Sequence, residues 1–181
     1  MSMTLATIIV GLIMLAKGLT LFTMKGDASF QRGLKLLRDR RVAAVLLAVA
    51  SAWFLWVVIN LGQADFGDYK VPLFVLFLGV AIGSWFYVPD FLGVRAGCVI
   101  FMLLAWHCLG AAFGHYEVPA RLFMVSAVYV GIVFSLYMAA APYRARDMAE
   151  WFCARPTHAR VLGGLLAAYG VWLLLVPMLF Y

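Results

Sequence analysis

Charged side chains are scarce in this chain of 181 residues. They make up 12% of the sequence, about half the share typical of soluble domains, whereas 66% of the residues are hydrophobic. This composition excludes a soluble globular domain and a disordered chain. A net charge of +6 would suggest nucleic-acid binding in a soluble protein. Here the basic residues are confined to particular connections, so no nucleic-acid partner is expected.

Cysteine is also scarce, and the usual catalytic motifs are missing. The three cysteines, Cys98, Cys108 and Cys153, include no CxxC pair, so neither a disulfide framework nor a thiol redox site is expected. The sequence contains no GxSxG turn and no HExxH pair. We therefore expect no enzyme activity, no cofactor and no metal ion.

Long apolar runs, by contrast, are abundant, and a helix needs about 20 such residues to cross a bilayer. Segments that contain Pro and Gly separate the runs. The pattern predicts an all-α polytopic membrane protein, a bundle of about six transmembrane helices in one domain over residues 1–181. The predicted spans lie near residues 3–24, 42–61, 71–88, 94–114, 119–141 and 158–180.

Lysine and arginine fall mainly on alternate connections. Six lie between spans one and two, one lies between three and four, and four lie between five and six, whereas the other side carries only Lys70 and Arg121. The positive-inside rule places the more basic side in the cytoplasm. The expected location is the inner membrane of a bacterium, with both termini outside.

Each even-numbered span begins at an arginine, and a tryptophan follows 11 or 12 residues later. The pairs are Arg41 and Trp53, Arg95 and Trp106, and Arg160 and Trp172. This spacing is compatible with three helical hairpins related by an internal repeat. It is equally compatible with six unrelated helices, because a cytoplasmic helix start favours Arg and the far interface favours Trp.

Two basic connections, over residues 30–41 and 143–155, have the pattern of amphipathic helices that lie in the headgroup plane. Their cations are candidate contacts to anionic lipid headgroups or to a protein partner. Both a loop that follows the membrane surface and a docking surface fit the pattern. The candidate contacts are Arg32, Lys35, Arg38, Arg144 and Arg146.

No acidic residue falls inside a predicted span, which disfavours ion-coupled transport because such carriers usually keep an acidic relay there. Lys17 and His107 are ionisable residues within spans, and with His115 in an outer connection they are the candidate functional residues. Lys17 could snorkel to the interface or bind an anionic group. His107 could be a packing residue. His115 could join Glu117, Asp65 and Asp68 in an outer metal site, although their spacing matches no metal motif.

Small residues recur four positions apart in five spans, a spacing that lets helix backbones approach closely in lipid. We expect helix contacts at Gly79/Gly83, Gly93/Gly97, Gly110/Gly114, Gly164/Ala168, Ala44/Ala48/Ala52 and Ala127/Gly131/Ser135.

Three short motifs stand out: residues 64–69 (ADFGDY), 87–95 (YVPDFLGVR) and 141–147 (APYRARD). In these motifs the chain resembles a group of uncharacterised bacterial multi-span inner-membrane proteins. The group has no assigned activity, so the resemblance implies no site residue.

The expected function is therefore that of a non-enzymatic integral membrane subunit or scaffold of a larger bacterial membrane complex. Its expected partners are the lipid bilayer, anionic lipid headgroups, and other membrane protein subunits or a second copy of the chain. The alternative is a small carrier or channel for an anionic or lipid-like solute, with Lys17 as the charged contact.

Overall fold

The computed structural model describes residues 1–23, 39–87 and 91–180, and all regular structure within these ranges is helical. Two single-turn 3-10 helices, Gln63–Asp65 and Gly67–Tyr69, lie between α2 and α3. Arg32, Lys35 and Arg38 lie outside the described residues. The α-helices are α1 (Met3–Thr23), α2 (Arg40–Ile59), α3 (Lys70–Tyr87), α4 (Leu92–Ala112), α5 (Arg121–Ala140), α6 (Tyr143–Ala154) and α7 (Pro156–Phe180).

Six helices in the described part of the chain, all except α6, are long and apolar enough to cross a membrane. At a rise of about 1.5 Å per residue, they approach or exceed the roughly 30 Å of a hydrocarbon core. The all-α prediction and the six long apolar helices are confirmed. The helix ends differ from the predicted span ends by at most two residues.

Local chemistry fixes several helix ends. The Asp39 carboxylate accepts a hydrogen bond from the Arg41 backbone N–H at 2.8 Å and so caps α2. At the C-terminus of α4, the Arg121 guanidinium donates to the Ala112 carbonyl at 2.9 Å and lies over the Tyr116 ring. That contact satisfies one of the carbonyls that a helix end leaves free.

The closest helix packing is between the antiparallel helices α1 and α7. A Cβ atom added at Gly163 would lie 2.6 Å from the backbone nitrogen of Phe22, and one added at Gly170 would lie 2.6 Å from that of Leu15. Glycine is required there because the two backbones are in contact. Of the predicted pair Gly164 and Ala168, an added Cβ at Gly164 would meet only the Phe22 ring, at 3.8 Å, and the backbone contact is formed by the glycines one position before and six positions after it.

The buried core lies between α1, α4, α5 and α7, toward the end of the bundle that carries few basic residues. Its members include Ala6, Ala105, Cys108, Met124 and Leu173, each at most 2% exposed. These residues occupy the first half of α1 and the second half of α4. At the opposite end of the bundle, where the basic connections lie, α1 and α7 remain in close contact at Gly18 and Gly163.

Helices α2 and α3 form a wing beside this core. α2 packs on α4, and α3 packs on α2, but no residue of α3 is buried. Gly79 and Gly83 of α3 have no atom within 4 Å of an added Cβ, and the same holds for Gly97, Gly110 and Gly114. These glycines therefore form no close helix contact within the described part of the chain.

Among the other predicted small-residue stripes, Gly131 does pack closely, against the Phe101 ring of α4. In α2, Ala48 and Ala52 are exposed, and Ala43 and Ala50 are buried in their place.

The three predicted hairpins would pair α1 with α2, α3 with α4, and α5 with α7. The extensive contacts between described helices are instead α1 with α7, α4 with α5, α2 with α4, and α2 with α3. The hairpins are therefore not packing units of the bundle.

Candidate functional site

A groove of about 210 Å³ lies between α3 and α4, with α2 as its floor. It forms because α3 packs on α2 without packing extensively on α4, and because the floor residue Ala50 has a small side chain. The groove is lined by Leu47, Ala50, Ser51, Phe54 and Leu55 of α2, Phe77, Val80, Ala81 and Ser84 of α3, and Leu92, Arg95, Ala96 and Val99 of α4.

Aromatic contacts hold α3 against α2 at both ends of the groove. The Phe54 and Phe77 rings meet edge to face with centroids 4.8 Å apart, at the end far from the basic connections. At the other end, the Arg40 guanidinium lies 5.2 Å from the centre of the Trp85 ring. A cation over an indole contributes about 0.5–1 kcal/mol at an exposed site and more when it is desolvated.

Arg95, in the first turn of α4, is the one charged residue among the described side chains that line the groove. Its Nε atom is buried and has no hydrogen-bond partner in the described part of the chain. A buried donor that loses its hydrogen bonds to water costs about 1–3 kcal/mol unless an acceptor replaces them. The groove therefore presents an unsatisfied cationic donor beside an apolar surface.

In the sequence, Arg95 is evident as a topological charge and as the arginine that precedes Trp106, but its place beside a groove is not. The available signal was that Arg95 is the single basic residue of its connection, whereas the other two basic connections carry several. That signal marks an unusual arginine, but only the positions of α2 and α3 reveal the groove beside it.

Two serines also line the groove, on facing helices. The Ser84 hydroxyl donates to the Val80 carbonyl of its own helix at 2.7 Å, so its proton is already used. Ser51 adds a second hydroxyl at the floor. Apart from Arg95, which supplies the charge, the other described residues that line the groove are apolar.

Lys17 is exposed on α1 and does not line the groove. Its backbone carbonyl accepts a hydrogen bond from the Thr20 hydroxyl at 2.8 Å. Lys17 lies 11 residues beyond Ala6, or about 16 Å along the helix axis, away from the core end of the bundle. The structure therefore does not bring it near His107, which follows the core residue Ala105.

His107 is half-buried between two indole rings. Its ring centre lies 5.5 Å from that of Trp53 and 4.7 Å from that of Trp106. Its Nδ1 lies 2.9 Å from the Leu103 carbonyl, which can only accept, so Nδ1 carries the proton and donates. This geometry favours the packing interpretation of His107.

His115 is exposed in the connection between α4 and α5. Across residues 1–23, 39–87 and 91–180, no three His, Cys, Asp or Glu side chains come together in a way that could hold a metal ion. The alternative of an outer site made by His115, Glu117, Asp65 and Asp68 thus has no geometric support among the described residues.

Arg144 and Arg146 are exposed on α6, and the prediction of a helix in this connection is confirmed. The Arg146 Nε atom lies 2.6 Å from the Glu150 carboxylate, and this hydrogen bond raises the pKa of Arg146. A hydrogen bond with Tyr143 raises the pKa of Arg144. Both side chains are permanently cationic, as contact to an anionic surface requires.

No family model, curated protein or solved structure matches the chain. The resemblance to uncharacterised bacterial multi-span proteins therefore stays a prediction that rests on three short motifs.

Proposed function

We propose that the chain is a non-enzymatic integral membrane protein that serves as a subunit or scaffold of a larger membrane assembly, with α3 as its partner-binding helix. The observation that supports this proposal is the position of α3 at the edge of the bundle. None of its residues is buried, and α2 is the long helix against which it packs.

The two glycines of α3 favour a helix as the partner. Gly79 and Gly83 lie on one face, four residues apart, and each has open space where a Cβ would be. Glycine costs up to about 1 kcal/mol relative to alanine in a helix, and no contact within the described chain requires its small size here. In lipid, where close packing drives helix association, such a face suits another transmembrane helix.

The charge distribution supports a bacterial inner membrane as the location, with α6 on the cytoplasmic side and both termini outside. In this arrangement, Arg144 and Arg146 lie at the level of anionic lipid headgroups. The partner would be another membrane protein subunit or a second copy of the chain.

Mass measurement and co-purification in mild detergent test the proposal. The variant Gly79→Ile/Gly83→Ile should lose the partner, because bulky side chains separate the helices. Gly110→Ile on α4 is the matched control, since Gly110 also has open space around it and should tolerate the change. A wild-type chain that runs alone, with no partner at any stoichiometry, would contradict the scaffold function.

The alternative function, a small carrier or channel for an anionic or lipid-like solute, has less support from the geometry. Lys17 is its proposed charged contact, and this side chain lies on the surface of α1, away from the groove. The test is solute uptake by vesicles reconstituted with the protein. Loss of uptake in Lys17→Met would support the carrier function. Unchanged uptake in this variant would exclude Lys17 as the charged contact.

A further inference from the structure

We propose that the groove between α3 and α4 binds one acyl chain of an anionic phospholipid, whose phosphate is held by Arg95. This inference rests on the proposed membrane location, but it does not depend on the proposed partner of α3.

The first argument is charge. The buried Arg95 Nε lacks an acceptor among the described residues, and Arg95 is the one charged residue of the groove lining within them. A guanidinium pairs well with phosphate because its planar set of N–H donors matches two phosphate oxygens at once. Basic pockets between transmembrane helices on the cytoplasmic side are typical binding sites for lipid headgroups.

The second argument is position. Arg95 lies in the first turn of α4, at the same end of the bundle as the contact between Arg40 and Trp85. Arginine and tryptophan mark the headgroup level of a membrane helix. A phosphate at Arg95 therefore lies where the bilayer already supplies phosphates, and its acyl chain points into the hydrocarbon core along the groove.

The third argument is shape. At about 210 Å³, the groove is smaller than the roughly 300–1,000 Å³ of pockets that enclose small-molecule ligands. It suits a segment of one acyl chain, and the open side between α3 and α4 leaves the rest of the lipid in the bilayer. The Phe54 and Phe77 rings line the groove at the end far from Arg95, where they offer an apolar surface to the acyl chain.

Other occupants fit less well. A free phosphate ion would satisfy Arg95 and leave the apolar lining unfilled. A helix of a second copy, about 10–12 Å across with its side chains, needs more room than a groove of about 210 Å³ offers. A zwitterionic phospholipid fills the groove but brings its own cation to the headgroup, which competes with Arg95 for the phosphate.

The test uses the purified full-length chain in mild detergent, titrated with phosphatidylglycerol or phosphatidylcholine of identical acyl chains and observed by native mass spectrometry. We expect one phosphatidylglycerol per chain, bound more tightly than phosphatidylcholine. Arg95→Gln should weaken phosphatidylglycerol binding about tenfold, as the loss of a charge-assisted hydrogen bond predicts. Arg95→Lys should fall between, because it keeps the charge without the planar donors.

The matched control is Arg41→Gln, which removes an exposed arginine near the same end of the neighbouring helix and should bind phosphatidylglycerol normally. Equal binding by the wild type and Arg95→Gln, equal affinity for the two lipids, or complete displacement of the lipid by inorganic phosphate would overturn the proposal. If Arg95→Gln fails to fold, the variant Ala81→Phe tests the site instead. Its larger side chain fills the groove while Arg95 stays intact, so it should also weaken phosphatidylglycerol binding. Undiminished binding by that variant would overturn the site.

Two further measurements separate this inference from the proposed function. Gly79→Ile/Gly83→Ile should bind phosphatidylglycerol even when it has lost its protein partner. Extraction of membranes with alkaline carbonate tests the membrane location itself. Release of the chain into the soluble fraction would contradict that location.

Discussion

At the scale of single residues, four glycines allow α1 and α7 to lie in backbone contact. Gly11 faces Gly170, and Gly18 faces Gly163, in an antiparallel register. Lipid is as apolar as the helix surfaces, so close contact between backbones has to replace the hydrophobic effect that holds soluble helices together. The absence of a side chain at these positions therefore contributes directly to the stability of the bundle.

Replacement of Gly18 by valine should destabilise the protein strongly. A Cβ at Gly18 meets the backbone of Ala167, which cannot move aside as a flexible side chain could. Overpacking of this kind typically costs about 1–3 kcal/mol, and more where backbone must shift. The thermal midpoint in detergent should fall for Gly18→Val and change little for Gly110→Val. Equal shifts in the two variants would show that the contact is not essential.

At the scale of helices, local sequence predicted the extent of each element but not its orientation. Apolar runs and the Pro- and Gly-rich breaks between them are local signals, and they located the helix ends to within two residues. Which face is buried depends on rotation about the helix axis, and one residue corresponds to about 100°. Apolar residues surround these helices on all sides, so no polar face marks which side of a helix is buried. For this reason the sequence pattern favours Gly164 as the contact residue of α7, whereas the contact is made by Gly163.

The short helix α6 provides an element-level prediction. Ala149 is buried, whereas the Arg146–Glu150 ion pair is exposed on both sides. Exposed pairs four residues apart contribute little to stability because water and salt screen them. Glu150→Gln should therefore leave α6 docked, whereas Ala149→Asp buries a charge and should release it. Trypsin cleavage at the arginines of α6 should accelerate for Ala149→Asp alone. Faster cleavage of Glu150→Gln would mean that the ion pair holds the helix.

At the scale of the whole molecule, the bundle divides into a core of α1, α4, α5 and α7 and a wing of α2 and α3. The sequence predicted six long helices, but the division arises from contacts between helices that are distant in the chain. The groove and Arg95 were missed for the same reason, because a groove between three helices has no local sequence signal. Lys17 and His107, by contrast, are candidates that the sequence does reveal, because an ionisable residue within an apolar run is a local signal.

The topology of the bundle can be tested by labelling with a membrane-impermeant thiol reagent in a background without native cysteines. Gln63→Cys, between α2 and α3, should react in intact cells because the positive-inside rule places it outside. Asp147→Cys, on α6, should react only after the membrane is permeabilised. The reverse labelling pattern would contradict the proposed orientation, and labelling of both sites in intact cells would contradict the membrane crossing between them.

The most direct test of the central claim, that α3 binds a partner helix, is photo-crosslinking in intact membranes. At the test position, a photoreactive amino acid replaces Val75, which is 63% exposed and lies one turn from Gly79 on the same face. At the control position it replaces Val133 on α5, which is 67% exposed. We predict that position 75 forms an adduct with a protein and that this adduct disappears in Gly79→Ile/Gly83→Ile. Position 133 should form adducts with lipid only. Lipid adducts alone from both positions would contradict the claim.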